Sequence, residues 1–237
     1  MFEPTTELHV WRAQLDSDRW PGADRLPREE RERAARLHRP ATRRRWVAAR
    51  WALRGVLGHY LDEDPAGIEL RVGGNGKPAL AGFPAPLHFN LSHSDELALV
   101  AIAREREVGV DVERIESRRD LLALAQRALG PAQAADVAAT LPPDRSAAFH
   151  AAWTRREAIA KCLGTGLGAP LPAAAVAVSA LDAGPGFAAA IAVSGDVLPP
   201  LRCFEVEPGL VPSPVPKDHA RPWRSAADGR PLRGIDL

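Results

Sequence analysis

The sequence predicts an α+β fold made of two similar halves, and three observations carry that prediction. Strand-like and helix-like segments follow one another in the same order twice, as strand, helices and then strands. Clusters of Gly, Pro and Asn punctuate the segments. At 237 residues with 46% hydrophobic content, the chain can bury one substantial core or two small ones.

In the first half, residues 7–15 alternate like a strand, and residues 26–37 and 41–61 read as helices. Pro27 stands at the first position of one helix and Pro40 breaks between the two. Val72-Gly73-Gly74-Asn75-Gly76-Lys77-Pro78 is a tight loop, and Phe89-Asn90-Leu91-Ser92-His93-Ser94 leads into a strand over residues 97–103. Residues 108–115 form the next strand. The second half repeats the order, with helices over 120–129, 131–140 and 146–163, then strands near 174–179, 188–193 and 202–206. The repetition is one of order, not of sequence identity. These halves divide the chain into residues 1–107 and 108–209, followed by a tail over 210–237. Pro212, Pro214 and Pro216 forbid a central strand in that tail, so it is expected to be mostly irregular. One sheet would then lack its last strand, or Val206 would lie at an edge.

Composition narrows the function classes. Net charge is near zero, yet arginines crowd between Arg25 and Arg54, so one surface is expected to meet an anion. Glu29, Glu30 and Glu32 interrupt that positive run, which argues against nucleic acid; a basic nucleic-acid-binding module stays only as a remote alternative. Cys162 and Cys203 are too few for a disulfide scaffold and show no paired zinc spacing, so a reducing compartment is expected. The N-terminal stretch is acidic without an apolar signal core, and no run approaches the ~20 apolar residues of a membrane span. A cytoplasmic protein with no membrane partner follows as the simplest expectation.

Two short segments carry the chemistry. In Val108-Gly109-Val110-Asp111-Val112-Glu113 the valines alternate with small or acidic residues, so Asp111 and Glu113 share one strand face, their Cα atoms roughly 6.5 Å apart. Two such carboxylates can grip one hard cation if a third ligand comes from elsewhere. Glu157 is the candidate, on a helix whose Phe149, Ala152, Ile159 and Leu163 form one apolar stripe, with Glu157 and Lys161 beside its edge. Oxygen-only ligands favour Mg²⁺ over zinc, and such a Mg²⁺ completes its shell with water and substrate phosphates. Taken alone, each segment is more often surface decoration, a Glu–Lys pair one turn apart being worth about 0.2–0.5 kcal/mol. Lysine usage shifts the balance: only Lys77, Lys161 and Lys217 among 31 basic residues are lysines, and two of these fall inside the motifs.

These motifs together carry a family resemblance. Gly76-Lys77-Pro78, the FNLSHS stretch at 89–94, VGVDVE at 108–113 and WTRREAIAKCLGTGL at 153–167 resemble, in order and spacing, the 4′-phosphopantetheinyl transferases, specifically the larger surfactin-synthetase-activating type. The resemblance covers roughly residues 25–207. It implies a monomer with two pseudo-symmetric α/β halves of that fold, binding coenzyme A and Mg²⁺ in the cleft between them. By position, Asp111, Glu113 and Glu157 are similar to the metal ligands, and Lys161 to the lysine on the pyrophosphate. Lys77, Ser92, His93 and Arg45 resemble residues that hold the adenine side and the 3′-phosphate, and Arg33 is the best placed of Arg28, Arg31 and Arg33 for a further phosphate contact. Glu157, with Glu113 as the other candidate, would take the proton of the acceptor serine, and Lys161 would serve the leaving oxygen. The implied reaction moves the 4′-phosphopantetheine group from coenzyme A to a serine of an acyl- or peptidyl-carrier protein and releases adenosine 3′,5′-bisphosphate. A coenzyme A-binding homologue with impaired catalysis is the alternative, because Arg156 stands where the family usually has lysine and the tail departs from its closing strand.

Overall fold

The alternation seen in the sequence becomes two three-stranded antiparallel units of identical strand order, the first widened into a five-stranded sheet, in a computed structural model that describes residues 7–73, 76–81, 87–166, 175–210 and 221–222. The first half comprises β1 (Leu8–Gln14), α1 (Arg28–Ala35), α2 (Pro40–Leu61), β2 (Leu70–Val72), β3 (Pro78–Leu80), β4 (Leu87–Ser94) and β5 (Leu97–Arg104). The second comprises β6 (Val108–Arg114), α3 (Leu121–Leu129), α4 (Pro131–Ala139), α5 (Arg145–Leu163), β7 (Val176–Leu181) and β8 (Phe187–Ser194), followed by β9 (Leu201–Glu205). In each half the opening strand pairs antiparallel with the last, and the last with the middle one: β1 with β5 and β5 with β4, then β6 with β8 and β8 with β7. The duplication expected from element order is thus also one of topology, and the fold is α+β.

Side-chain parity along the strands builds the layers. In β5 every residue from Leu97 to Ala103 is buried, because both faces are covered. Ala98, Val100 and Ile102 face α2, together with Trp51, Leu53, Val56 and Leu57. Leu97, Leu99, Ala101 and Ala103 face the second sheet, where Val108, Val110 and Val112 of β6 and Ile191 and Val193 of β8 complete the core. A second core on the far side of β8 is small in cross-section, with Ala158 and Cys162 of α5 against Ala190 and Ala192. The order is therefore helix, sheet, sheet, helix, with β6 sandwiched between the first sheet and α5.

The structure departs from expectation in four places. FNLSHS is itself a strand, β4, rather than a lead into one, since both its neighbour β5 and the start of β6 offer partners. The loop around Gly76 closes a small β2–β3 hairpin; residues 74–75 lie outside the described set. Strand β9, read from the sequence as part of the second half, pairs in parallel with β1 in the first sheet. Its Phe204 stacks on Trp11 with ring centroids 4.7 Å apart, and Val206 is buried in the same core with its N–H on Arg12 O at 2.8 Å, so aromatic packing decides the crossing. Finally, two residues of the Pro-rich tail form β10 (Arg221–Pro222), which pairs antiparallel with Phe204 and Glu205 and covers that edge. Val206 is accordingly buried and not an open edge. Proline suits this outermost strand, where its missing N–H is not needed. The rest of the expected irregular tail, residues 211–220 and 223–237, lies outside the described residues. Among the described residues no helix is long and apolar enough to cross a membrane.

Candidate active site

The site is built on the polar face of β6. Because the valines of VGVDVE turn to the first sheet, Gly109, Asp111 and Glu113 turn towards α5. Gly109 lets the helix approach: a Cβ there would lie 2.1 Å from Ala158 O and 2.4 Å from Cys162 N. Small residues on both sides thus set the spacing between strand and helix. The bulky stripe expected on α5 is only partly the packed face. Phe149 is buried against α3 and α4, but Ile159 and Leu163 are half-exposed, while Thr154, Glu157, Ala158 and Cys162 are buried.

A polar zipper joins β4 to β6. Val110 N–H donates to Asn90 Oδ1 at 3.0 Å, Val112 N–H to Ser92 Oγ at 3.4 Å and Arg114 N–H to Ser94 Oγ at 3.1 Å. Alternate residues of β4 therefore satisfy alternate amides of β6 without a backbone ladder. The two hydroxyls then donate onward, Ser92 to Asp111 Oδ1 at 2.8 Å and Ser94 to Glu113 Oε2 at 2.9 Å. From α5, Lys161 Nζ donates to Asp111 Oδ1 at 2.6 Å and to Ser92 Oγ at 3.0 Å.

Two carboxylate oxygens are left over. Asp111 Oδ2 and Glu157 Oε1 are buried with no hydrogen-bond partner among the described residues, an arrangement that costs free energy unless a cation or proton meets them. The acid strengths reflect this. Burial pushes Asp111 up, against the pull of Lys161 and Ser92. Glu113 is raised by burial and then by the Asp111 charge. Glu157 is pushed up to about 7, first by burial and then by Asp111, with Lys161 and Arg156 opposing. Among the described residues no three His, Cys, Asp or Glu side chains already surround one metal position. The donor chemistry nonetheless fits a hard cation: the oxygens are anionic, and two of them are orphaned.

The cations expected from the sequence divide into two groups. Lys161 lies within the acidic cluster. Lys77 lies at its edge, where its ammonium reaches Glu107 Oε2 at 2.6 Å and the carbonyls of Val108 at 3.0 Å and Cys162 at 3.3 Å. Ser92 is fully engaged as described. His93 is exposed on the opposite face of β4, its basicity lowered by the protein around the ring and then by Lys161 and Arg50. Arg45 is held away from the acidic cluster by two aspartates, with Nε and Nη2 on Asp16 at 2.8 and 2.7 Å and Nη1 on Asp95 at 2.8 Å.

Two clefts open beside the cluster and meet at Gly76 and Pro78. One, of about 270 Å³, is lined by Lys77, Asn90, Glu157, Lys161 and Gly164. The other, of about 840 Å³, is lined by Arg28, Arg33, Trp46, Arg50, Arg54 and Arg71 among others. Arg33 is exposed on its wall, whereas Arg50 and Arg54 are tied to Glu30. A third cleft of about 390 Å³ lies on the other side of Glu113, with Leu124, Phe149, His150 and Trp153 in its walls. Sequence reading did not find Asn90, Ser94, Arg50 or Arg54. Asn90 and Ser94 carried a signal, the period-2 spacing with Ser92, whereas Arg50 and Arg54 were hidden in a helix rich in arginine.

Comparison with known proteins agrees with this geometry. The family profile of the 4′-phosphopantetheinyl transferase superfamily matches residues 107–198, the segment that holds Asp111, Glu113, Glu157 and Lys161. The chain is 37% identical over 167 residues to the 4′-phosphopantetheinyl transferase HetI of Nostoc sp. strain PCC 7120, covering 68% of this chain and 70% of that protein. It is 39% identical over 137 residues to the 4′-phosphopantetheinyl transferase AcpT of Escherichia coli K12, covering 57% of this chain and 64% of that one. These relatives show the 4′-phosphopantetheinyl transferase family and do not decide the subtype. With the profile falling on the acidic strand and helix, and with HetI aligned over more than two thirds of its length, the chain belongs to the 4′-phosphopantetheinyl transferase family of enzymes.

Proposed function

We propose that the protein transfers 4′-phosphopantetheine from coenzyme A to a serine of an acyl- or peptidyl-carrier protein, using the acidic cluster between its two halves. The observation that carries this reading is the pair of buried, unpartnered oxygens, Asp111 Oδ2 and Glu157 Oε1, beside Lys161 and at the head of an arginine-lined cleft. In the reaction a bond forms between the serine oxygen and the β-phosphorus of coenzyme A, the bridging phosphoanhydride bond breaks, and adenosine 3′,5′-bisphosphate leaves.

Asp111, Glu113 and Glu157 would hold Mg²⁺, which when bound neutralises charge on the pyrophosphate oxygens. Lys161 stabilises the negative charge that accumulates on the leaving side. Glu157 accepts the serine proton, its position at the cleft wall and an Oε1 with no partner among the described residues leaving it available. Arg33 faces the large cleft and supplies charge for the 3′-phosphate; Lys77 lines the smaller cleft that adjoins it, and His93 and Ser92, on opposite faces of β4, are assigned to the nucleotide side on the family resemblance alone. Arg45 would meet a phosphate only by exchanging Asp16 or Asp95 for it. Three antiparallel strands paired in the same order in each half support the larger, two-half type, acting as a monomer because one chain supplies both walls of the cleft.

The test is Glu157→Gln assayed at saturating Mg²⁺ and coenzyme A. Loss of a general base lowers turnover by about 100-fold or more. Near-normal turnover would sink the assignment, and tight coenzyme A binding by the wild type without transfer to any carrier would favour the impaired homologue.

A further inference from the structure

Glu107 precedes β6 at the junction of the two halves, outside the acidic cluster, and four elements converge on it. Its N–H donates to Ser194 Oγ at 3.0 Å, and its carbonyl accepts Ser194 N–H at 2.9 Å and the Cys162 thiol at 3.2 Å. Its carboxylate reaches back into the first half, to Lys77 Nζ at 2.6 Å through Oε2 and to His88 Nδ1 at 3.0 Å through Oε1. Lys77 in turn donates to Val108 O and Cys162 O. An ammonium has three N–H donors, and here three protein oxygens take them. One of these, Cys162 O, is among the last carbonyls of α5, which lack a partner in the helix and attract positive charge.

We infer that Glu107 is a positioning residue for the coenzyme A cleft, holding Lys77 as a clasp that fastens the turn at Gly76 to Pro78 against the start of β6 and the end of α5. The inference rests on the coenzyme A reading for its ligand, but its contacts stand apart from that reading. Two consequences follow from what the clasp joins. The turn forms the lip shared by both clefts, so its placement sets their shape. The end of α5 also carries Lys161 one turn from Glu157, so fixing it to β6 sets the helix carboxylate against Asp111. Lys77 on this account acts by shaping the cleft, its charge being neutralised by Glu107, and not by contacting a phosphate.

The experiment compares Glu107→Gln, Lys77→Met and the double variant, with Glu105→Gln as a control for loss of one exposed negative charge nearby. Coenzyme A affinity is read by calorimetry, and amide hydrogen exchange over residues 160–166 is followed without ligand. A clasp predicts that each single variant weakens coenzyme A binding by about tenfold. The double variant should be no weaker than either single, because both remove one interaction. Exchange at the end of α5 should quicken in all three and stay unchanged in Glu105→Gln. The proposal is overturned if Glu107→Gln binds coenzyme A as the wild type does while Lys77→Met does not, which makes the lysine a direct ligand. It is also overturned if the losses add, or if exchange over residues 160–166 does not change. Failure of the wild type to bind coenzyme A would instead refute the functional reading, and the exchange measurements would still decide the clasp.

Discussion

Ser92 donates its hydroxyl to Asp111 at 2.8 Å while accepting from Lys161 at 3.0 Å and from the Val112 amide at 3.4 Å, so a single oxygen joins β4, β6 and α5. A hydroxyl has one donor and two acceptor positions, and all are used. Ser92→Ala strands the buried Val112 N–H and removes one of the two donors on Asp111 Oδ1. The expected cost is about 1–3 kcal/mol, read as a fall in Tm of about 2–4 °C per kcal/mol for a chain of this size. An unchanged Tm would show that the contact does not support the strand.

Gly109 permits α5 to lie on β6, since a methyl group there would sit 2.1 Å from Ala158 O. Backbone cannot yield as a flexible side chain does, so Gly109→Ala must displace the helix. The variant is expected to lose at least about 1–3 kcal/mol by overpacking and to lose turnover as well, because Glu157 moves away from Asp111. Thermal unfolding and carrier modification together check this; a stable variant with full turnover would contradict it.

How much of this was legible in the sequence depended on the range of the interaction. The period-2 valines of VGVDVE placed Asp111 and Glu113 on one face, and the face is as read because both sheets need the valines. The same alternation in Asn90, Ser92 and Ser94 was present, but polar residues at strand spacing resemble a turn until their β6 amides are known. The crossing of β9 into the first sheet was not readable, as it depends on Phe204 meeting Trp11 far away in the chain. The resemblance puts Arg45 among the phosphate contacts, but its pairing with Asp16 and Asp95 was not readable, because only the folded chain brings these residues to it.

Glu30 holds two arginines of α2, Arg50 and the almost fully buried Arg54, whose Nη1 also donates to Pro65 O and Ile68 O. Burial opposes the Glu30 charge, yet the two guanidinium groups keep its acid strength above normal. Glu30→Gln leaves Arg54 as a buried charge without its counter-ion, a loss of about 3–5 kcal/mol. Chemical denaturation should show the midpoint falling with little change in slope. A loss under ~1 kcal/mol, typical of exposed pairs, would mean that the backbone carbonyls alone satisfy the guanidinium.

His9 is buried between Tyr60 and Glu7, with His59 and Arg202 adding positive charge nearby. Its pKa is lowered from 6.5, chiefly by burial, with Glu7 opposing. The unfolded chain therefore takes up a proton at His9 before the folded chain does. The stability this residue contributes is complete above pH 6.5 and declines as pH falls towards the folded value. Urea denaturation of the wild type and His9→Gln across this range should show their difference in stability shrinking as pH is lowered from 6.5. A constant or growing difference would contradict the assignment.

Asp111 is the residue on which the functional account turns, since it links the strand to Lys161 and leaves one oxygen open. Asp111→Asn keeps the shape and hydrogen bonding of the side chain while removing its charge. The most direct measurement incubates the wild type and this variant with coenzyme A, Mg²⁺ and a panel of apo carrier domains, and follows carrier mass. The account predicts that the wild type adds one phosphopantetheine group to a carrier serine and releases adenosine 3′,5′-bisphosphate, while the variant folds normally but modifies carriers about 100-fold more slowly or worse. Unmodified carriers throughout the panel with coenzyme A bound to the wild type, or equal rates for the two proteins, would contradict it.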